Sequence, residues 1–87
     1  MKLKSDFMYQ RVGDDHFLMP LNEKDFSSVI RGNETLAVIL RSLEEETSEE
    51  RIVDALLDQY SVSREQAAAD VGGVLSVLRE VHALDEE

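Results

Sequence analysis

The chain has 87 residues, a net charge of −10 and no cysteine or tryptophan. One domain spanning residues 1–87 is all that this length supports, and such a domain buries only about 60–65 % of its unfolded surface. Missing cysteines exclude disulfides, zinc–thiolate sites, iron–sulfur clusters and thiol nucleophiles, while 43 % hydrophobic residues is too high a content for a disordered chain.

Phe7-Met8-Tyr9-Gln10-Arg11-Val12 is rich in strand formers and runs into the turn signal Gly13-Asp14-Asp15. His16-Phe17-Leu18-Met19 follows as a second apolar run, closed by Pro20, which cannot donate to a sheet interior. Together they predict a hairpin. After the polar link 22–25, a third strand is expected from Phe26 to Arg31, with Phe26, Ser28 and Ile30 on one face and Ser27, Val29 and Arg31 on the other. Phe26 and Ile30 are the members expected in the core. A final strand placed just before a helix can leave an open edge, and open edges recruit other strands.

Gly32-Asn33 breaks that strand, and Asn33 is the expected N-cap of a first helix with Leu36, Ile39, Leu40 and Leu43 along its apolar stripe. Glu44-Glu45-Glu46 opposes the macrodipole at the helix end and reads as a solvated corner. Thr47-Ser48-Glu49-Glu50 is a capping box, with Thr47 as cap and Glu50 at the third helical position. Its helix carries Ile52, Val53, Leu56, Leu57 and Tyr60. A second box, Ser63-Arg64-Glu65-Gln66, with Gln66 reaching back, opens a longer helix lined by Val71, Val74, Leu75, Leu78 and Val81. The short link around Ser61-Val62-Ser63 makes these two a tight helix-turn-helix pair. Gly72-Gly73 is the anomaly, because two glycines inside a helix cost about 1 kcal/mol each against alanine. They mark either close packing of the helix on its neighbour or a local kink, or a place where a bound backbone approaches.

The expected fold is therefore α+β, a three-stranded antiparallel sheet followed by three helices in a winged helix-turn-helix-like order. Its charge is divided: residues 1–33 hold five basic and five acidic side chains, residues 34–87 four basic and fourteen acidic. Nucleic-acid binding needs a basic face, and the helical part offers the opposite. No apolar run approaches the roughly 20 residues of a membrane span, and Met1 to Asp6 lacks a signal-peptide core, so a soluble cytoplasmic protein is expected. His16 and His82 lack a second ligand at helical spacing, so no metal site is expected, and the serines sit at caps and turns. Phosphate-loop, nucleophile-elbow and zinc-protease motifs are missing, as is the Asp-Ser-Leu of an acyl carrier. Neither an enzyme nor a cofactor is expected.

An ordered set of segments carries a family likeness: Ile30-Arg31-Gly32-Asn33-Glu34-Thr35, Thr47 to Val53, Asp58-Gln59-Tyr60-Ser61-Val62, Asp70-Val71, and Val74-Leu75 through Leu78. In this order they resemble the coenzyme PQQ synthesis protein D (PqqD) family, over nearly the whole chain. The resemblance implies a winged-helix-like recognition element for the leader segment of ribosomally made precursor peptides. Family members present the peptide core to a tailoring enzyme, often a radical-SAM protein. It further implies that the leader adds as a strand beside the third strand and lies against the third helix. Carried over by position, the strand edge falls on Ser27, Ser28, Val29, Ile30 and Arg31, and the facing wall on Ala67, Asp70, Val71 and Val74. Arg31 would meet a leader carboxylate and Asp70 a leader cation. Gly32 departs from the family pattern, where an apolar residue usually precedes the Asn. His82 departs too, standing where a helix-ending glycine is usual. The expected partners are thus a leader peptide and a tailoring enzyme, with no nucleic acid and no membrane, for a monomer or weak dimer. The competing reading is a protein–protein adaptor or strand-edge dimer that binds no leader.

Overall fold

The computed structural model describes residues 1–21 and 29–86. Five strands and three helices are present among them: β1 (Lys2–Leu3), β2 (Phe7–Val12), β3 (Asp15–Pro20), β4 (Ile30–Gly32), α1 (Glu34–Ser42), α2 (Glu49–Gln59), α3 (Arg64–Glu80) and β5 (Leu84–Asp85). Strands β2, β3 and β4 form an antiparallel sheet in that order, so β4 lies at its edge. The expected α+β order, a three-stranded sheet and then three helices, is what the chain adopts.

The hairpin is tight. Val12 pairs with Asp15, leaving Gly13 and Asp14 as a two-residue loop. Gly13 has φ 63°, and a left-handed residue at the first loop position suits the right-handed twist of the flanking strands. Of the expected third strand, residues 22–28 lie outside the described residues. Its described part starts at Ile30 and extends one residue further than predicted, through Gly32, in register with Leu18, Phe17 and His16 of β3.

Helix α1 is more deeply placed than a single apolar stripe predicts. Leu36, Ala37, Val38, Ile39 and Leu40 are all buried in succession, because α1 packs on β3 and β4 and also on α2 and α3. A helix covered on several sides is apolar on several sides. The core continues through Leu18, Leu43, Ile52, Leu56, Val71, Leu75 and Leu78.

Two capping assignments differ in detail. Helix α2 is capped by Ser48, whose hydroxyl accepts from the Arg51 amide at 3.3 Å. Thr47 cannot serve, since its backbone is committed elsewhere: its N–H donates to the Met1 carbonyl at 2.8 Å, and its own carbonyl accepts from the Met1 nitrogen at 2.8 Å. Glu46, in the expected solvated corner, pairs with that same Met1 nitrogen. At α3 the Ser63 hydroxyl accepts from the Gln66 amide at 3.0 Å as predicted, but the Gln66 side chain runs forward and donates to Asp70 Oδ1 at 2.9 Å.

A second, two-stranded sheet was not foreseen. β1 pairs antiparallel with β5, Leu3 opposite Leu84. The Leu3 amide also donates to the Leu43 carbonyl at 2.8 Å, tying both chain ends to the helices. His16, beside the hairpin turn, is buried on the core face, with Nδ1 2.6 Å from the Tyr9 hydroxyl and the two rings stacked.

Candidate functional site

Strand β4 and helix α3 stand apart enough to leave an open groove. It encloses about 510 Å³ and is lined on the strand side by Ile30, Arg31, Gly32 and Asn33. Asp70, Gly73, Val74 and Val77 form most of the opposite wall, together with Ala69, and Leu36 also lines it. Its described surface is mainly apolar, with Asp70 as the one acidic residue and Arg31 as the one basic residue of the lining.

Each wall has a local cause. Gly32 closes β4 against α1: a Cβ built there would lie 2.6 Å from Leu36 Cδ2 and 2.8 Å from Leu36 Cβ, so only a glycine lets the strand end meet the helix. The Asn33 side-chain oxygen then accepts from the amides of Thr35 at 3.1 Å and Leu36 at 3.4 Å, which starts α1 immediately after the strand. On α3, positions 70, 73 and 77 recur at the three- and four-residue spacing that shares one helix face.

The sequence-predicted site residues divide among groove, core and rim. Ile30, Arg31, Asp70 and Val74 line the groove. Val29 is half-buried just ahead of β4. Ser27 and Ser28 lie outside the described residues. Ala67 and Val71 require a correction, because both are fully buried in the core. They belong to the inner stripe of α3 with Leu75 and Leu78, and the groove face is rotated about the helix axis from it. Sequence reasoning missed Val77 there, and named Gly73 only as one of the glycine pair that could admit a bound backbone. A usable signal existed, because Gly73 and the exposed Val77 stand in phase with Asp70 and out of phase with the core stripe.

Charges at the rim are engaged within the chain. Arg31 donates from Nε and Nη2 to Asp15 Oδ1 at 3.2 and 3.0 Å, a solvent-exposed pair across β3 and β4 of the kind worth at most about 1 kcal/mol. Asp70 is half-buried and holds Gln66 through Oδ1 alone. No cluster of metal-ligating side chains occurs among the described residues, and none of their helices is long and apolar enough to cross a membrane.

The glycine pair of α3 receives a partial account. An added Cβ at Gly73 meets nothing within 4 Å, and one at Gly72 meets only Glu49 Oε2 at 3.8 Å, an ordinary contact. Close packing therefore explains neither. Gly73 opens into the groove; nothing in the structure explains Gly72.

An edge strand facing a helix across an apolar groove, on a sheet followed by three helices, defines a small α+β domain of winged-helix-like order. The chain belongs to the coenzyme PQQ synthesis protein D (PqqD) family, whose sequence model matches residues 15–84. Two solved structures share the fold. One, TbiB1 in complex with the TbiA(beta) leader peptide, has a TM-score of 0.79 at 25 % identity, covering 100 % of this chain and 98 % of that one. The other, lasso peptide synthetase B1 complexed with the leader peptide, has a TM-score of 0.71 at 20 % identity, covering 91 % and 89 %. Sequence comparison with curated proteins gives no match.

Proposed function

We propose that the 87 residues act as one cytoplasmic, non-catalytic module that binds the leader segment of a ribosomally synthesised precursor peptide. The leader adds as a strand to the outer edge of β4, lies in the groove against α3, and is thereby presented to a tailoring enzyme. No cofactor takes part. The observation that carries this reading is the edge position of β4 beside a groove of peptide dimensions. Backbone hydrogen bonds to a sheet edge supply affinity, and flanking pockets select side chains. Family membership and the leader-bound state of the two similar structures support it.

The test is a titration of nitrogen-15-labelled protein with candidate leader peptides. Amide shifts concentrated on Ile30 to Gly32 and Asp70 to Val77 are the expected result. Shifts confined to the acidic surface of α2, or none with any candidate, would sink the reading.

A second reading, docking by another protein without a leader, is favoured by one observation. The sheet face opposite the core exposes Met8 at 40 % and Val12 at 59 %, beside the half-buried Phe17 and Met19. If that is the working surface, changing Val12 to Lys abolishes partner binding while Val74→Lys leaves it intact.

A further inference from the structure

The groove has two chemically different places along α3. Near one end stands Asp70, half-buried, with Oδ1 accepting from Gln66 and Oδ2 accepting from none of the described residues. Among the described residues it is the only carboxylate in the lining, and the guanidinium of Arg31, on β4, is already engaged by Asp15. Further along, Gly73 leaves an open space bounded by Val74 and Val77, where an added Cβ would touch nothing. A helix interior disfavours glycine, and no contact among the described residues requires one at this position, so the space is open to a group from outside the chain.

The distances between these places suit an extended peptide. At 1.5 Å per residue, the middle of the Gly73–Val77 gap lies about 7–8 Å along the helix axis from Asp70. On a strand, side chains two residues apart point the same way and are separated by roughly 6.7 Å. A strand laid parallel to α3 thus aims one side chain at Asp70 and the next same-facing one into the gap between Gly73 and Val77.

We infer that this module selects peptides carrying a Lys or Arg two residues from a large apolar side chain, the cation meeting Asp70 and the apolar group filling the gap between Gly73 and Val77. This rests on the strand-addition reading above and states what that strand must contain. The charge balance agrees with it, because the helical part that forms the wall carries fourteen acidic and only four basic residues, and a cation facing Asp70 is drawn in rather than repelled.

The experiment selects a phage-displayed library of random twelve-residue peptides on the intact protein, then titrates recovered peptides into the nitrogen-15-labelled protein. Expected is an enrichment of Lys or Arg two places from Phe, Tyr, Leu, Ile or Met in peptides that shift Ile30 to Gly32. Asp70→Lys should exchange the basic preference for an acidic one and weaken the original peptides by about tenfold or more. Asp70→Asn, nearly isosteric, should lose the basic preference without gaining another, and Gly73→Leu should shrink the preferred apolar residue to Ala or Val. Peptides that shift the β4 amides without this two-residue pattern, or that are unchanged in selections on the Asp70 variants, overturn the inference and leave strand addition standing. If no recovered peptide shifts β4, strand addition falls and this inference with it.

Discussion

Gly32 and Leu36 are packed so closely that one additional carbon at position 32 would stand 2.6 Å from Leu36 Cδ2. That contact joins the last residue of β4 to the first buried residue of α1 and so determines how the strand edge meets the groove. Leu36 is itself only 4 % exposed, which leaves it little room to yield. Gly32→Ala is expected to destabilise the fold by about 1–3 kcal/mol, the usual cost of overpacking a filled interior. Urea unfolding measures the loss, and amide shifts at Ile30 to Asn33 report the displaced strand end.

Gly73→Ala should do the reverse. The new methyl group meets nothing within 4 Å, and alanine is favoured over glycine in a helix by about 1 kcal/mol. Stability should rise by about 0.5–1 kcal/mol, while affinity for any peptide seated in the groove falls. Thermal unfolding and peptide titration on the same variant check both halves. A gain in stability with affinity unchanged would show that Gly73 contacts no ligand.

His82→Gly is a second stabilising change. Helix α3 ends with His82 at φ 59°, where the His82 amide donates to the Arg79 carbonyl at 3.1 Å and the Ala83 amide to the Leu78 carbonyl at 2.9 Å. These are the two bonds of a Schellman cap, and its left-handed position favours glycine. The departure from the family's usual glycine therefore changes the residue and keeps the cap. Replacement should raise stability by about 0.5–1 kcal/mol in denaturant unfolding.

The end of the described chain makes a pH-dependent contact. The Glu86 carboxylate accepts from Arg79 Nε and Nη2 at 3.0–3.2 Å, and that hydrogen bond, followed by the attraction between the charges, holds its carboxyl below the usual carboxylate range. Its folded value is depressed, so the contribution to stability is present above the unfolded Glu value and is lost as pH falls through the folded one. Carboxyl carbon NMR should find the Glu86 midpoint lower in the native protein than in Arg79→Gln. Equal midpoints would mean that the contact is not formed in solution.

Much of this architecture was legible because its signals are local. The hairpin follows from two apolar runs around Gly13, and α3 from Ser63 and the period of Val71, Leu75 and Leu78. The likeness to the PqqD family could be drawn from ordered segments alone, and the family match covers residues 15–84. What escaped was decided by distant partners. Thr47 looks as good a cap as Ser48 until Met1 takes its backbone. The β1–β5 pairing joins two-residue segments some eighty positions apart, each too short to carry a pattern of its own.

The same division runs through the groove. Composition and periodicity by themselves determined an α+β chain with an acidic helical part, a strand ahead of the first helix, and a third helix apolar along one face. Sequence spacing names the residues that share a face of α3, but the apolar ones it picks out serve the core as readily as a ligand. Only tertiary packing chose the rotation of that helix, sending Ala67 and Val71 inward and leaving Asp70, Gly73 and Val77 along the opening, because the buried stripe must follow the shape of α1 and α2 already packed against it.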